Sequence, residues 1–200
     1  MKTTVVSLQF GSREYFDVSR AALERYCFFH GYRLAISGGE SFADDRDLRW
    51  SKVGAMLQAL GESDRVFYLD ADSLPMNPTR PVSALEGLLG AACLLVGEDA
   101  PGHANTGVML ARSDAVDVLE HWRSVPDVHP ETRRTWPVDE LGFNNYTLPL
   151  YRSRIALCRG SRTDADFLRG SFVHHFCNGN SARKADLLRK LVATWPESGN

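Results

Sequence analysis

The chain has 200 residues, 23 lysines and arginines against 25 aspartates and glutamates, and a formal net charge of −2. That length suits one domain over 1–200 and is enough to bury a core. The near-balanced charge excludes both the broad basic surface of a nucleic-acid binder and the acidic excess of a solvating tail, so nucleic acid is not an expected partner.

The run Met1-Lys2-Thr3-Thr4-Val5-Val6 goes straight into a strand-like stretch, without a secretory apolar region or cleavage site. No apolar stretch approaches the roughly 18 residues that span a bilayer, so no intrinsic membrane span is expected. Cys27, Cys93, Cys158 and Cys177 are scattered, with no C-x-x-C pair. This reads as reduced thiols in a cytoplasmic protein, one that a partner could recruit to a membrane.

Residues 3–10 are β-branched and apolar and end at Gly11, the pattern of a buried strand. Across 15–30, apolar residues recur at helical spacing (Phe16, Ala22, Tyr26, Phe29), and Gly31 stands where a helix closes. A second strand follows at 32–37, a second helix at 49–60 closed by Gly61, and a third strand at 65–69. Residues 94–97 and 108–111 read as strands, and Ser113 caps a helix over 115–122. A proline-punctuated loop at 125–137 leads to a short helix near Asp139, then strands at 155–158 and 172–175 and a helix at 183–194. This alternation implies an α/β domain with a mainly parallel central sheet flanked by helices. Ligands of such sheets bind beyond the carboxyl ends of the strands.

At the end of the third strand stands Leu69-Asp70-Ala71-Asp72-Ser73-Leu74-Pro75. An apolar strand thus delivers two carboxylates into a proline-stiffened loop, and such hard oxygen ligands suit Mg²⁺ or Mn²⁺. D-x-D alone also reads as an ordinary strand end, since Asp favours turns. Haloacid dehalogenase-like phosphatases carry D-x-D too, but on their first strand, whereas a strand-helix-strand-helix unit precedes it here.

Further motifs follow the same order as a known series. They are Ser7-Leu8-Gln9-Phe10-Gly11, Trp50-Ser51-Lys52, Asn105-Thr106-Gly107, Asp139-Glu140-Leu141-Gly142-Phe143-Asn144 and His174-His175-Phe176-Cys177-Asn178-Gly179. Together with Asp70-Ala71-Asp72, this series resembles retaining GT-A glycosyltransferases over residues 5–184. The similarity is to the galactosyl/mannosyl- and xylosyltransferase-like family 34 and, more distantly, to family 8.

The resemblance implies a single GT-A domain and transfer of a sugar from a nucleoside-diphosphate sugar, UDP- or GDP-linked, to a hydroxyl of a glycan or other acceptor. It implies retention and a Mn²⁺ or Mg²⁺ ion held by Asp70, Asp72 and His175. Matching H-F selects His175 over His174. Backbone around Ser7, Leu8 and Gln9 would meet the base and ribose, and Lys52 would reach the diphosphate or pair with the acidic motif. Asn105 and Gly107 would approach the sugar or phosphate, and Asp139 and Glu140 would face the reacting centre. Glu140 stands where the family usually has Gln, which leaves nucleophile and base both open for it. Gly179 arrives one residue late and the usual Lys-Pro is missing, so Lys184 or Arg183 is the candidate for the basic phosphate contact. The alternatives are a nucleotide-sugar-binding module without turnover and a nucleotidyltransferase, for which Gln9-Phe10-Gly11-Ser12-Arg13 is a poor glycine-rich loop.

Overall fold

The computed structural model describes residues 1–39, 42, 44–159, 172–176 and 179–196. The β-branched N-terminal run forms β1 (Thr3–Leu8), buried along its whole length and ending two residues earlier than expected. Helix α1 (Phe16–His30) closes on Gly31, whose φ of 66° is the left-handed conformation expected of a glycine at that position. Strand β2 (Arg33–Ser37) follows. A 3₁₀ turn capped by the Asp47 carboxylate leads into α2 (Ser51–Leu60). β3 (Arg65–Asp70) then carries the first acidic residue at its last position.

The supposed proline loop after β3 contains a short strand, β4 (Ser73–Pro75), and Glu86–Leu89 forms a single helical turn, α3. Neither was expected, because three and four residues are too few to show a period. β5 (Leu94–Ala100) and β6 (His103–Arg112) are longer than predicted and make a hairpin, with register shifts at Val96/Gly97 and Glu98/Ala100. Asn105-Thr106-Gly107 therefore lies inside β6 and not in a turn before it. Helix α4 (Val116–Val128) takes in Pro126 and so absorbs the first residues of the predicted 125–137 loop. Next come α5 (Val138–Gly142), a π-helical turn (Phe143–Thr147) and the short α6 (Leu148–Leu150). β7 (Ile155–Arg159), β8 (Val173–His175) and α7 (Ser181–Ala193) complete the described elements. The Asn180 side chain accepts from the Arg183 N–H, which starts α7 two residues before the predicted 183.

The main sheet has the order β2-β1-β3-β6-β5-β7, and only β6 runs against the other strands. Strand residues alternate between its faces. Val6, Tyr68, Met109 and Val96 pack with Trp50, Met56 and Trp122 from α2, its leading turn and α4. Val5, Phe67, Leu110 and Leu95 pack on the other side with Leu23 and Tyr26 of α1 and Leu188 of α7. The expected α/β architecture is thus a three-layer one. A separate ribbon pairs β4 with β8 in antiparallel register, Ser73 opposite His175, at the carboxyl end of β3. No helix among the described residues is long and apolar enough to cross a membrane.

Candidate metal centre

The β4–β8 ribbon explains how two distant motifs meet. The Phe176 N–H donates to the Asp72 carbonyl at 2.9 Å, which locks the end of β8 to the acidic loop. The His175 side chain then points inward, with Nε2 3.2 Å from Asp72 Oδ1 and 3.8 Å from Asp70 Oδ2. His174, on the opposite face, stacks against Phe176 at a centroid distance of 4.2 Å. One ligand atom from each of Asp70, Asp72 and His175 lies within 4.8 Å of the other two. Gly107 of β6 forms the back of this cluster. A Cβ there would stand 2.3 Å from His175 Cε1 and 2.9 Å from Asp70 Oδ2.

Burial works against the charged forms of these groups, but the neighbours outweigh it. The hydrogen bond and charge of His175, with the Lys184 ammonium, hold Asp72 at about 2 despite its burial. The carboxylates of Asp72 and Asp70 likewise raise the pKa of the buried His175. Lys184 contacts Asp72 Oδ2 directly from the first turns of α7, which selects it over Arg183 as the basic residue at the site. Ala71, between the two carboxylates, is buried and keeps the loop tight.

Lys52 is almost wholly buried, its Nζ 2.8 Å from Asp139 Oδ2 and 3.4 Å from Asp70 Oδ1. Burial opposes its charge, yet Asp139 and Asp70 together raise its pKa. Of the two roles open to it from sequence, pairing with the acidic motif is the one the geometry shows. Thr106 Oγ1 donates to Asp139 Oδ2 at 2.8 Å and the Tyr68 hydroxyl donates to Asp70 Oδ1 at 2.6 Å, so both carboxylates are fixed from a second side. Glu140, one residue on, is less closely paired, with His103 Nδ1 3.9 Å from its Oε1. Burial first, and then the charges of Asp99 and Asp139, push its pKa up to about 7.

A cavity of about 390 Å³ gathers Lys52, Asp70, Asp72, Asn105, Gly107, Asp139, Glu140, His175 and Lys184, nearly all the polar candidates read from sequence. It also takes in Arg49, Asp99, Thr106 and Trp136, which sequence reasoning missed. Thr106 sat unread within the Asn105-Thr106-Gly107 motif, and a tryptophan in a polar loop next to Asp139 was the available signal for Trp136. Ser7, Leu8, Gln9 and Gly179 do not line this cavity. Ser7 Oγ and both carboxamide atoms of Gln9 are buried at the end of β1 without a hydrogen-bond partner among the described residues. Gly179 takes a φ of 103° in the turn before α7. Cys177 and Asn178 lie outside the described residues. A larger depression of about 510 Å³ beside α4, lined by residues such as Val128 and Leu150, gathers no comparable set of charged groups.

The fold is that of GT-A glycosyltransferases, with which this chain aligns along most of its length. Solved structures agree. The chain aligns over 95% of its length, and over 100% of theirs, with a glycosyltransferase involved in glycosylation of the major capsid of the virus PBCV-1, at a TM-score of 0.77 and 18% identity. It is also similar to the glycosyltransferase GlyE of Streptococcus pneumoniae TIGR4, covering 100% of this chain and 66% of that one at a TM-score of 0.60 and 12% identity. Mouse xyloside xylosyltransferase 1 aligns over 89% of this chain and 99% of its own, with a TM-score of 0.53 and 10% identity. Neither protein-family models nor curated protein sequences give a match.

Proposed function

We propose that the chain is a metal-dependent glycosyltransferase of the family 34-like type. It moves a hexosyl or pentosyl unit from a UDP- or GDP-sugar to a hydroxyl of a glycan or other acceptor, with retention at the anomeric carbon. The convergence of Asp70, Asp72 and His175 within 4.8 Å carries this reading. Two carboxylates and an imidazole are a donor set that fits Mn²⁺ or Mg²⁺. Gly107 supports the fit, because it leaves open the space behind those ligands that a Cβ would fill. When bound, the ion supplies counter-charge to the departing diphosphate.

The chain's own residues do the rest. Lys184, on the outer side of Asp72, offers its ammonium to phosphate oxygens. Lys52 and Asp139 form a buried pair that holds Asp70 in its orientation and presents the start of α5 to the transferring sugar. Asn105 turns its Oδ1 to the Gly107 N–H at 3.0 Å, leaving its amide group for sugar hydroxyls. The Gln9 carboxamide, unpaired among the described residues, and the Ser7–Gln9 backbone meet the base and ribose, since a buried amide without partners is costly until a ligand satisfies it. Gly179 shapes the turn that delivers Lys184. Glu140 is the group able to exchange a proton near neutral pH. A cytoplasmic location belongs to the same proposal, supported by the free, buried thiols of Cys27 and Cys93.

The test offers a panel of UDP- and GDP-sugars with and without Mn²⁺ and follows released nucleotide. Release from one donor should require Mn²⁺ and fall on the order of a hundredfold or more in Asp72→Ala. Release that ignores both metal and mutation would refute the proposal.

A further inference from the structure

Three of the four tryptophans, Trp50, Trp122 and Trp195, are buried, but Trp136 is 74% exposed and lines the metal-centre cavity. It is braced there. The Arg49 guanidinium carbon lies 4.8 Å from the indole centroid, and Asp47 grips that guanidinium through Nε and Nη2 at 2.8 and 2.9 Å. An open indole held in place beside a site presents a rigid, flat apolar face at little entropic cost.

The cavity has two chemically different ends. Contacts run in sequence from Lys184 to Asp72, His175, Asp70, Lys52 and Asp139, so the cations sit with the metal ligands. Past Asp139 the lining carries Asp99 and Glu140 together with Arg49, whose charge is already paired with Asp47. Glu140 stands 3.9 Å from His103, which is 3.2 Å from Asp99, and both carboxylates line the cavity with Trp136. Carboxylates that accept hydroxyl protons beside an aromatic face suit a neutral sugar ring, whose C–H face stacks and whose hydroxyls donate. An anionic acceptor would meet like charge there. A nucleotide base could also stack on indole, but the buried unpaired amide suited to reading a base belongs to Gln9, which does not line this cavity.

We propose that Trp136, braced by Arg49, is the acceptor platform and that the acceptor is a neutral pyranoside. The assignment deepens the transferase reading and rests on it. Saturation-transfer NMR on the full chain tests it, with methyl glycosides of glucose, galactose and xylose as probes and no donor present. Wild type and Trp136→Phe should pass saturation to the ring C–H protons of at least one glycoside. Trp136→Ala, at an exposed position that spares the fold, should bind it about tenfold or more weakly. UDP or GDP with diamagnetic Mg²⁺ in place of Mn²⁺ should leave the glycoside signal in place. Undiminished transfer in Trp136→Ala, no transfer from any glycoside to wild type, or displacement by the nucleotide would each overturn the assignment. Mn²⁺-dependent nucleotide binding, measured on the same samples, reports separately on the transferase reading. Glycoside binding at Trp136 without it would leave a sugar-binding site and sink the transfer reaction.

Discussion

At Gly107 the requirement is space and not backbone freedom, because a methyl group would collide with His175 and Asp70. Gly107→Ala should therefore keep the fold yet weaken Mn²⁺ binding by about tenfold or more, as read by calorimetry, since ligand geometry sets affinity. Glu140 makes a second residue-scale prediction. Its folded pKa, about 7, lies above its ordinary value of 4.5, so the folded state favours the proton. The stability this lends is fully present below 4.5 and is lost as pH rises through about 7. Glu140→Gln cannot ionise and escapes that loss. It should match wild type near pH 4 and exceed it at pH 8 by about 1 kcal/mol in urea unfolding, after allowance for partial exposure. Equal stability at both pH values would contradict the buried-carboxyl account. Asp70, Asp72 and His175 were legible as residues because an apolar strand and an H-F motif mark their places. The Thr106–Asp139 hydrogen bond was not, because a contact across 33 residues leaves no local pattern.

Helix α5 owes its position to two contacts from other elements. Gly142 lies against Trp50, where a Cβ would come within 2.5 Å of Cη2, and Asn144 spans to β6 by donating to the Ala104 carbonyl at 2.9 Å and accepting from its N–H at 2.8 Å. Gly142→Ala should destabilise the protein by about 1–3 kcal/mol through overpacking, measured by urea unfolding. Because α5 carries Asp139 and Glu140, the same change should lower turnover more than it lowers nucleotide binding. Most elements could be placed from sequence: β1, α1, β2, β3 and α7 show clear periodicity or caps. β8 was expected as well, at 172–175, but β4 and its pairing with β8 could not be placed, since β4 has three residues and its partner lies about a hundred positions away. The extension of α4 to Val128 was hidden by Pro126, read as a loop residue although it lies within the helix.

On the scale of the whole molecule, the sheet order places the carboxyl end of β3 beside the middle of β6, where Gly107 lies, and the β4–β8 ribbon stands at that end of β3. That arrangement makes a candidate metal centre from residues 70, 72 and 175, which no local segment could assemble alone. In the proposed reading, these three side chains together hold the ion on which nucleotide binding depends. Calorimetric titration of UDP and GDP, with and without Mn²⁺, into wild type and Asp72→Asn tests it most directly. Wild type should bind one of the two nucleotides only when Mn²⁺ is present, and Asp72→Asn, with nearly the same shape and one charge fewer, should lose that binding. Nucleotide binding that persists without metal, or unchanged in Asp72→Asn, would contradict the account.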